Sequence, residues 1–317
     1  MIPLEEIRAA RETIAGTAVR TPLVRLHVDG PAAIYLKLEN LQPIGSFKLR
    51  GAYNAMRRAR REDLAGGVVT ASAGNMAQGV AWAARELGVP ATIVVPDHAP
   101  ETKLAAIARL GGEVVKAPFE RWWQAIEEHR FEGVDGLFVH PVENDHVMAG
   151  NGTIGLEILE DLADPDAVVI PWGGGGLTTG IASAVKQLRP ETKIYAAEPA
   201  TAAPLAATLA GGGEPVAVEY RPSFVDGAGS RALLPRMWER ARPLLDGARA
   251  VSLEDTAAAV RLLAERVRVI AEGAGALAVA AALSGELGSG KIIAVVSGGN
   301  IDVSTLTRIL AGETPKA

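Results

Sequence analysis

From residue 66 onward, short apolar runs alternate with longer segments that carry an apolar residue every three or four positions. "GGVVTAS" (66–72) is a β-branched run, after which Met76, Val80, Ala83, Ala84 and Leu87 share one helical face. "ATIVVP" (91–96) reads as a buried strand closed by proline. "PETKLAAIARLGG" (100–112) reads as a helix from a Pro-Glu start to capping glycines at 111 and 112. "EVVKAP" (113–118) is a strand again. Phe119, Trp122, Trp123 and Ile126 then make a helical stripe expected to pack inward, followed by the strand "LFVHP" (137–141). Val147, Ile154, Ile158 and Leu162 mark another helix, and "AVVIPW" (167–172), "KIYAAEP" (193–199) and "KIIAVVSGG" (291–299) are further strands.

Near-continuous apolar strands between amphipathic helices predict an α/β protein of open, mostly parallel sheets with helices on both faces. Such sheets twist. At 317 residues the chain is long for one domain. The pattern suggests a small domain at 66–144 inserted in a larger one made of 1–65 and 145–317.

Composition narrows the function classes. A chain that is 48 % hydrophobic and 22 % charged fits a globular protein with a sizeable core, and a net charge of −5 argues against a nucleic-acid partner. Having no cysteine excludes disulfides, thiolate metal sites and cysteine nucleophiles, and suits a reducing cytoplasm. The N-terminal "MIPLEEIRAARETIAG" lacks the apolar core of a signal peptide, and no apolar run approaches the roughly 18 residues of a membrane span. The expectation is a cytoplasmic protein without a membrane partner.

Four stretches could carry chemistry. In "QPIGSFKLRGAYNAM" (42–56), Lys48 stands in the first turn of a helix. There the positive end of the helix dipole lowers an ammonium's pKa and favours a nucleophile, although a lone lysine also serves as a solvated helix face. In "VVIPWGGGGLTTGIASAVKQL", four glycines (Gly173, Gly174, Gly175, Gly176) join a strand to the helix opened by Leu177. Converging backbone N–H groups and a helix N-terminus bind phosphate without a basic side chain. The spacing is neither a P-loop nor the G-x-G-x-x-G fingerprint, which leaves dinucleotide binding as an alternative. "TASAGNMAQGVAWAA" places Ser72, Ala73, Gly74, Asn75 and Met76 at a helix start that could take a carboxylate or be an ordinary N-cap. "VVSGGN" puts Ser297 at a strand end, either a ligand contact or a Gly-rich turn. A phosphate-bearing aldehyde held on a lysine accounts for all four together.

The same stretches, with "HPVENDHVMAGNGTIGLEI", "AAEP" and "VDG", occur in the order found in the fold-type II pyridoxal-phosphate enzymes. The chain resembles their threonine/serine dehydratase and serine racemase family over about residues 20–302. The resemblance implies a two-domain fold like that of the tryptophan synthase β chain. It also implies pyridoxal 5'-phosphate as cofactor, an amino-acid substrate and a homodimer. Lys48 would hold the cofactor and act as base at the substrate Cα–H, with Phe47 beside the ring and Asn75 at its phenolic oxygen. Gly173 to Gly176 and Leu177 would cradle the phosphate. Ser297 would face the pyridine nitrogen, Glu272 would lie near the ring, and residues 72–76 would take the substrate carboxylate. The implied reaction is loss of water and ammonia from a β-hydroxy-α-amino acid such as L-threonine or L-serine, leaving a 2-oxo acid.

Departures from the family pattern refine these expectations. Ala73 stands where the racemases carry a second serine, which favours elimination over racemisation. Met76 replaces the usual histidine, so the substrate could be another hydroxy amino acid, of the 3-hydroxyaspartate or phenylserine type. Glu198 is present at the family's cation site, but Pro204 replaces its later acidic residue, so no metal is expected. Gly273 replaces a proline after Glu272, and a non-catalytic pyridoxal-phosphate or amino-acid binding protein stays among the alternatives. The chain leaves no room for a C-terminal regulatory domain, which implies no control by isoleucine. His140, at a strand end, reads as structural, and His98, His129 and His146 show no metal spacing.

Overall fold

The structure, a computed structural model, describes residues 1–315. Two sheets organise it. The larger contains β1 (Leu23–Leu26), β2 (Ala32–Leu38), β7 (Ala167–Pro171), β8 (Lys193–Pro199), β9 (Gly247–Val251) and β10 (Gly290–Val296), in the order β1-β2-β10-β7-β8-β9. All neighbours are parallel except β1 and β2, which pair antiparallel with Val24 opposite Leu36. The smaller sheet is wholly parallel, in the order β5-β4-β3-β6, from β3 (Val68–Ala71), β4 (Ala91–Pro96), β5 (Glu113–Ala117) and β6 (Leu137–Phe138).

The central strand β10 shows why these strands read as unbroken apolar runs. Successive side chains point to opposite faces. Ile292, Ala294 and Val296 join the core built on α11 (Gly273–Leu283), whereas Ile293 and Val295 join the core of α6 (Asp145–Asp161) and α7 (Gly176–Leu188). Helix α11 is apolar on every side and is buried almost throughout, as such a helix must be. Helix α1 (Leu4–Ile14) covers α6 with Ile7 and Ala10. Around the small sheet lie α2 (Lys48–Arg57), α3 (Asn75–Leu87), α4 (Glu101–Arg109) and α5 (Phe119–Glu128). Its core also takes Ala52, Ala55 and Met56 from α2 and Val147 from α6. The remaining helices are α8 (Pro204–Ala210), α9 (Pro235–Ala241), α10 (Leu253–Leu262) and α12 (Val303–Leu310). Among the described residues, no helix is long and apolar enough to cross a membrane.

Helix α6 lies between α2 and α7 at a separation only glycine permits. A Cβ on Gly150 would stand 2.5 Å from the Arg50 carbonyl oxygen, and one on Gly155 2.9 Å from that of Ile181. The helices that begin with Lys48 and with the tetraglycine loop are thereby held against one rod.

Two local expectations are corrected. The aromatic stripe of α5 splits: Trp122 and Ile126 pack on the small-sheet core, but Phe119 and Trp123 are 47 % and 42 % exposed. Positions 122, 125 and 126 share the inward face, which leaves 119 and 123 on the adjoining ridge, where the Trp123 Nε1–H donates to Glu127. The expected 137–141 strand shortens to Leu137–Phe138, because His140 captures the next two backbone N–H groups and Pro141 has none to give.

Candidate active site

Lys48 opens α2, after a turn pinned to the end of β10. Phe47 N–H donates to the Ser297 carbonyl at 3.0 Å, Gly299 N–H to that of Gly45 at 2.8 Å, and the Asn300 amide to that of Ile44 at 2.9 Å. Gly45 has φ +72°, and a Cβ there would meet Asn300 Oδ1 at 2.7 Å, so glycine is required on both counts. On its far side α2 is fastened by a buried group of charges. Arg50 donates from Nε to Glu39 at 2.8 Å and from Nη1 to Glu157 at 2.6 Å, and Lys37 donates to Glu157 at 2.6 Å.

A cavity of about 640 Å³ opens where the two sheets face each other, lined by Phe47, Lys48, residues 72–76, Glu272 and Ser297 among others. The Lys48 amine points into it and donates to the Pro141 carbonyl at 3.2 Å rather than to a carboxylate. Burial draws its pKa down to about 8, against a raising influence of Glu272. Desolvation is therefore the main influence that eases loss of this amine's proton. Glu272 is pushed up to about 8, by burial first and then by Asp226. The Asn75 amide N–H donates to Glu272 at 2.7 Å, and the Asn300 amide donates to Asn75 Oδ1 at 2.7 Å. Asn75 is thus clamped from both sides.

Side-chain capping is not what residues 72–76 do. Gly74 is the N-cap of α3 and offers no side chain, while Ser72 Oγ accepts from Gly74 N–H at 3.3 Å. Residues 72–76 line the cavity at this helix start, where leading N–H groups lack intrahelical acceptors. Met76 is buried and contributes to the wall. Across the mouth, Lys103 of α4 pairs with Asp226, and Thr102 Oγ1 donates to Asp302 at 3.2 Å.

The tetraglycine loop lies against this cavity without lining it directly. Gly173 stands against the Gly227 carbonyl, 3.4 Å from where a Cβ would be, and a Cβ on Gly174 would sit 2.5 Å from Val142 Cγ2. Gly175 has φ +92°, and a Cβ there would stand 2.6 Å from the Trp172 ring. Leu177 is buried in the first turn of α7, whose leading N–H groups have no intrahelical acceptor. Ser297 is buried at the end of β10. An amine held by a carbonyl, a loop with no room for a side chain at Gly174 and Gly175, and a helix N-terminus beside it fit a phosphate-bearing aldehyde.

A family profile described as "Pyridoxal-phosphate dependent enzyme" matches residues 14–298. The chain belongs to this family. It is 43 % identical to the L-threonine ammonia-lyase of Thermotoga maritima over 98 % of its length and 78 % of the relative's. To the L-threonine dehydratase catabolic TdcB of Escherichia coli it is 35 % identical, covering 97 % and 96 %. Among solved structures, the processed threonine deaminase isoform 2 of Solanum lycopersicum superposes with a TM-score of 0.85 at 36 % identity, covering 98 % and 92 %. The serine racemase of Dictyostelium discoideum gives 0.82 at 32 % identity, covering 95 % and 99 %. The cofactor of this family is pyridoxal phosphate, and the chain's fold is the family's α/β architecture.

Several contributors were not assigned from sequence. Asn300 ends a quoted motif, Pro141 and His140 open another, and Asp226 lies in "VDG". Their motifs were visible, but a carbonyl acceptor or a clamp on an amide leaves no pattern in residue type. Glu198, expected near a lost cation site, is buried and accepts from Leu205 and Ala206 N–H at 3.1 and 2.8 Å. Burial pushes its carboxyl up to about 7.

Proposed function

We propose that this protein catalyses β-elimination of a β-hydroxy-α-amino acid, L-threonine first, releasing ammonia and a 2-oxo acid. Relatives named L-threonine ammonia-lyase or dehydratase, 35–43 % identical over nearly the whole chain, support the reaction. The observation that carries it is the half-buried Lys48, whose amine lies in the cavity, is met by a carbonyl and is drawn down to about 8.

When bound, pyridoxal phosphate supplies the electron sink that acidifies the substrate Cα–H. In this reading the Lys48 amine takes that proton, and Phe47 packs beside the ring. The first turn of α3, residues 72–76, takes the substrate carboxylate, and Asn75, held by Glu272 and Asn300, also serves the cofactor. Gly173 to Gly176 and Leu177 would hold the phosphate, and Ser297 the pyridine nitrogen. Ala73 brings no hydroxyl to the helix start, which supports elimination over racemisation. As part of the same proposal, residues 1–65 with 145–317 form the large domain and 66–144 the small one. The protein works as a homodimer in the cytoplasm.

The direct test is a visible spectrum before and after adding L-threonine or L-serine, with ammonia measured in parallel. A band near 410 nm with ammonia release is expected; a protein that stays colourless after reconstitution would sink the reading. Uptake of the cofactor needs the neutral amine. Its rate should therefore fall about tenfold per pH unit below about 8 and level off above it, as followed by absorbance. Gly175→Ala combines a positive φ with the Trp172 contact, strain of roughly 1–3 kcal/mol, and should weaken cofactor binding by about 5- to 150-fold. A fluorescence titration of the cofactor-free protein reads this, and unchanged affinity would place the phosphate elsewhere.

A further inference from the structure

His140 sits where the chain turns from β6 toward α6, and nothing in the proposed reaction uses it. Resting on the reading proposed above, we propose that His140 is a positioning residue. Its Nδ1 acts as a bare acceptor that shapes the 140–143 turn, so that the Pro141 carbonyl meets the Lys48 amine and Val142 braces the tetraglycine loop.

The ring is 3 % exposed. Its Nδ1 accepts two backbone N–H groups, from Val142 at 3.0 Å and from Glu143 at 2.6 Å, so that nitrogen carries no proton. The backbone of Ile126 acts on the ring in the opposite sense to burial, raising its pKa. Nδ1, holding two backbone N–H groups, is not left for proton transfer with a substrate. Burial, with the charges of His129 and Lys48, holds the ring pKa down to about 3, so the acceptor persists at physiological pH.

What the turn presents makes this more than packing. Pro141 gives its carbonyl to Lys48 Nζ at 3.2 Å. The next residue, Val142, meets the phosphate loop: a Cβ on Gly174 would sit 2.5 Å from its Cγ2, and one on Gly176 3.2 Å from its carbonyl oxygen. Two consecutive residues therefore touch the lysine and the loop. The hydrogen bonds that shape their backbone converge on one imidazole nitrogen. Beyond the turn, Asn144 Oδ1 caps α6 by accepting from Val147 N–H at 3.0 Å, and the first turn of the helix presents N–H donors rather than acceptors to residues 142 and 143. Without Nδ1, two N–H groups in a half-buried turn lose their partner, and the turn must relax.

The test compares His140→Asn, His140→Gln and His140→Leu in the full-length protein, with the wild type and Lys48→Ala alongside. An asparagine Oδ1 falls near the place of Nδ1, whereas a glutamine Oε1 falls near Nε2. Two quantities are read. One is the rate at which acetic anhydride labels Lys48 in the cofactor-free protein, by peptide mass spectrometry. The other is kcat and KM for L-threonine. The Leu and Gln variants should lose roughly 10- to 100-fold in kcat with KM little changed, as expected of an ångström-scale displacement, and should label at a changed rate. The Asn variant should stay within about threefold of wild type on both readouts. The proposal fails if Asn is no better than Gln, or if all three variants keep wild-type kcat and labelling and lose only thermal stability. Nitrogen-15 NMR of the wild type needs no variant: Nδ1 should show the shift of an unprotonated acceptor, and a protonated Nδ1 overturns the proposal. A wild type with neither cofactor band nor product would sink the proposed reaction instead, while labelling and NMR still decide the role of His140.

Discussion

Lys48→Ala is expected to cut ammonia release from L-threonine by at least about 10³-fold and to abolish the absorbance near 410 nm. In the role proposed for Lys48 the variant would lose both the attachment point and the base, and a positioned base alone is worth roughly 10²–10⁴-fold. Thermal stability should be kept or raised. Below about pH 8 the folded protein holds a cation that burial disfavours, and the substitution removes that cost. Lys48→Arg sharpens the result, because a guanidinium keeps the charge but does not lose its proton. It too should be inactive, measured by ammonia release and by the spectrum. Residual turnover above about one hundredth of wild type in either variant would take the base away from Lys48.

Arg50→Met should produce the largest loss of stability, about 3–5 kcal/mol by urea unfolding. Arg50, Lys37, Glu39 and Glu157 are all buried, two cations against two carboxylates. Arg50 holds Glu39 with Nε and Nη2 at 2.8 and 2.9 Å, and Glu157 with Nη1 and Nη2 at 2.6 and 2.9 Å. Burial works against the charge on Glu39, yet Arg50 and Lys37 hold its carboxyl below the ordinary range. Removing the guanidinium leaves a surplus negative charge without a partner, the costly way to break a buried pair. Arg50→Lys keeps the charge, but one ammonium cannot reproduce the planar fork between two carboxylates, so an intermediate loss is expected. Thr153→Val deletes one 3.1 Å contact to Arg50 and should cost about 1 kcal/mol. Equal losses in all three variants would mean that packing at this position, not charge balance, sets the stability. Positions two apart on a helix face nearly opposite ways, so the same group of charges also sets which way Lys48 faces.

Much of this molecule is legible along the chain because its signals are local. Apolar strands such as 167–172 and 291–299 bury both faces, and that requirement writes itself as an unbroken run. The tetraglycine loop is visible because crowding at Gly174 and Gly175 leaves no room for a side chain, and Lys48 because it follows a turn and opens a helix. The antiparallel pair β1–β2 went unread. Each strand carries a charged residue, Arg25 in the four-residue β1 and Lys37 in β2, and Lys37 is buried against Glu157, 120 residues away. The α5 stripe misled for a related reason: periodicity marks an apolar ridge, but the neighbouring sheet decides how much of that ridge it covers.

The amino-acid sequence by itself determined the sheet-and-helix alternation, the family, the cofactor and the residue types at the site, since each depends on neighbours a few positions apart. Tertiary structure alone decided the chemistry of those residues. The Lys48 pKa follows from burial beneath elements far along the chain. Its acceptor is the carbonyl of a proline 93 positions away. The Asn75 amide is fixed by Glu272 and Asn300, 197 and 225 positions away. Desolvation and hydrogen bonding act through space over a few ångströms, and only the folded chain brings such distant positions that close.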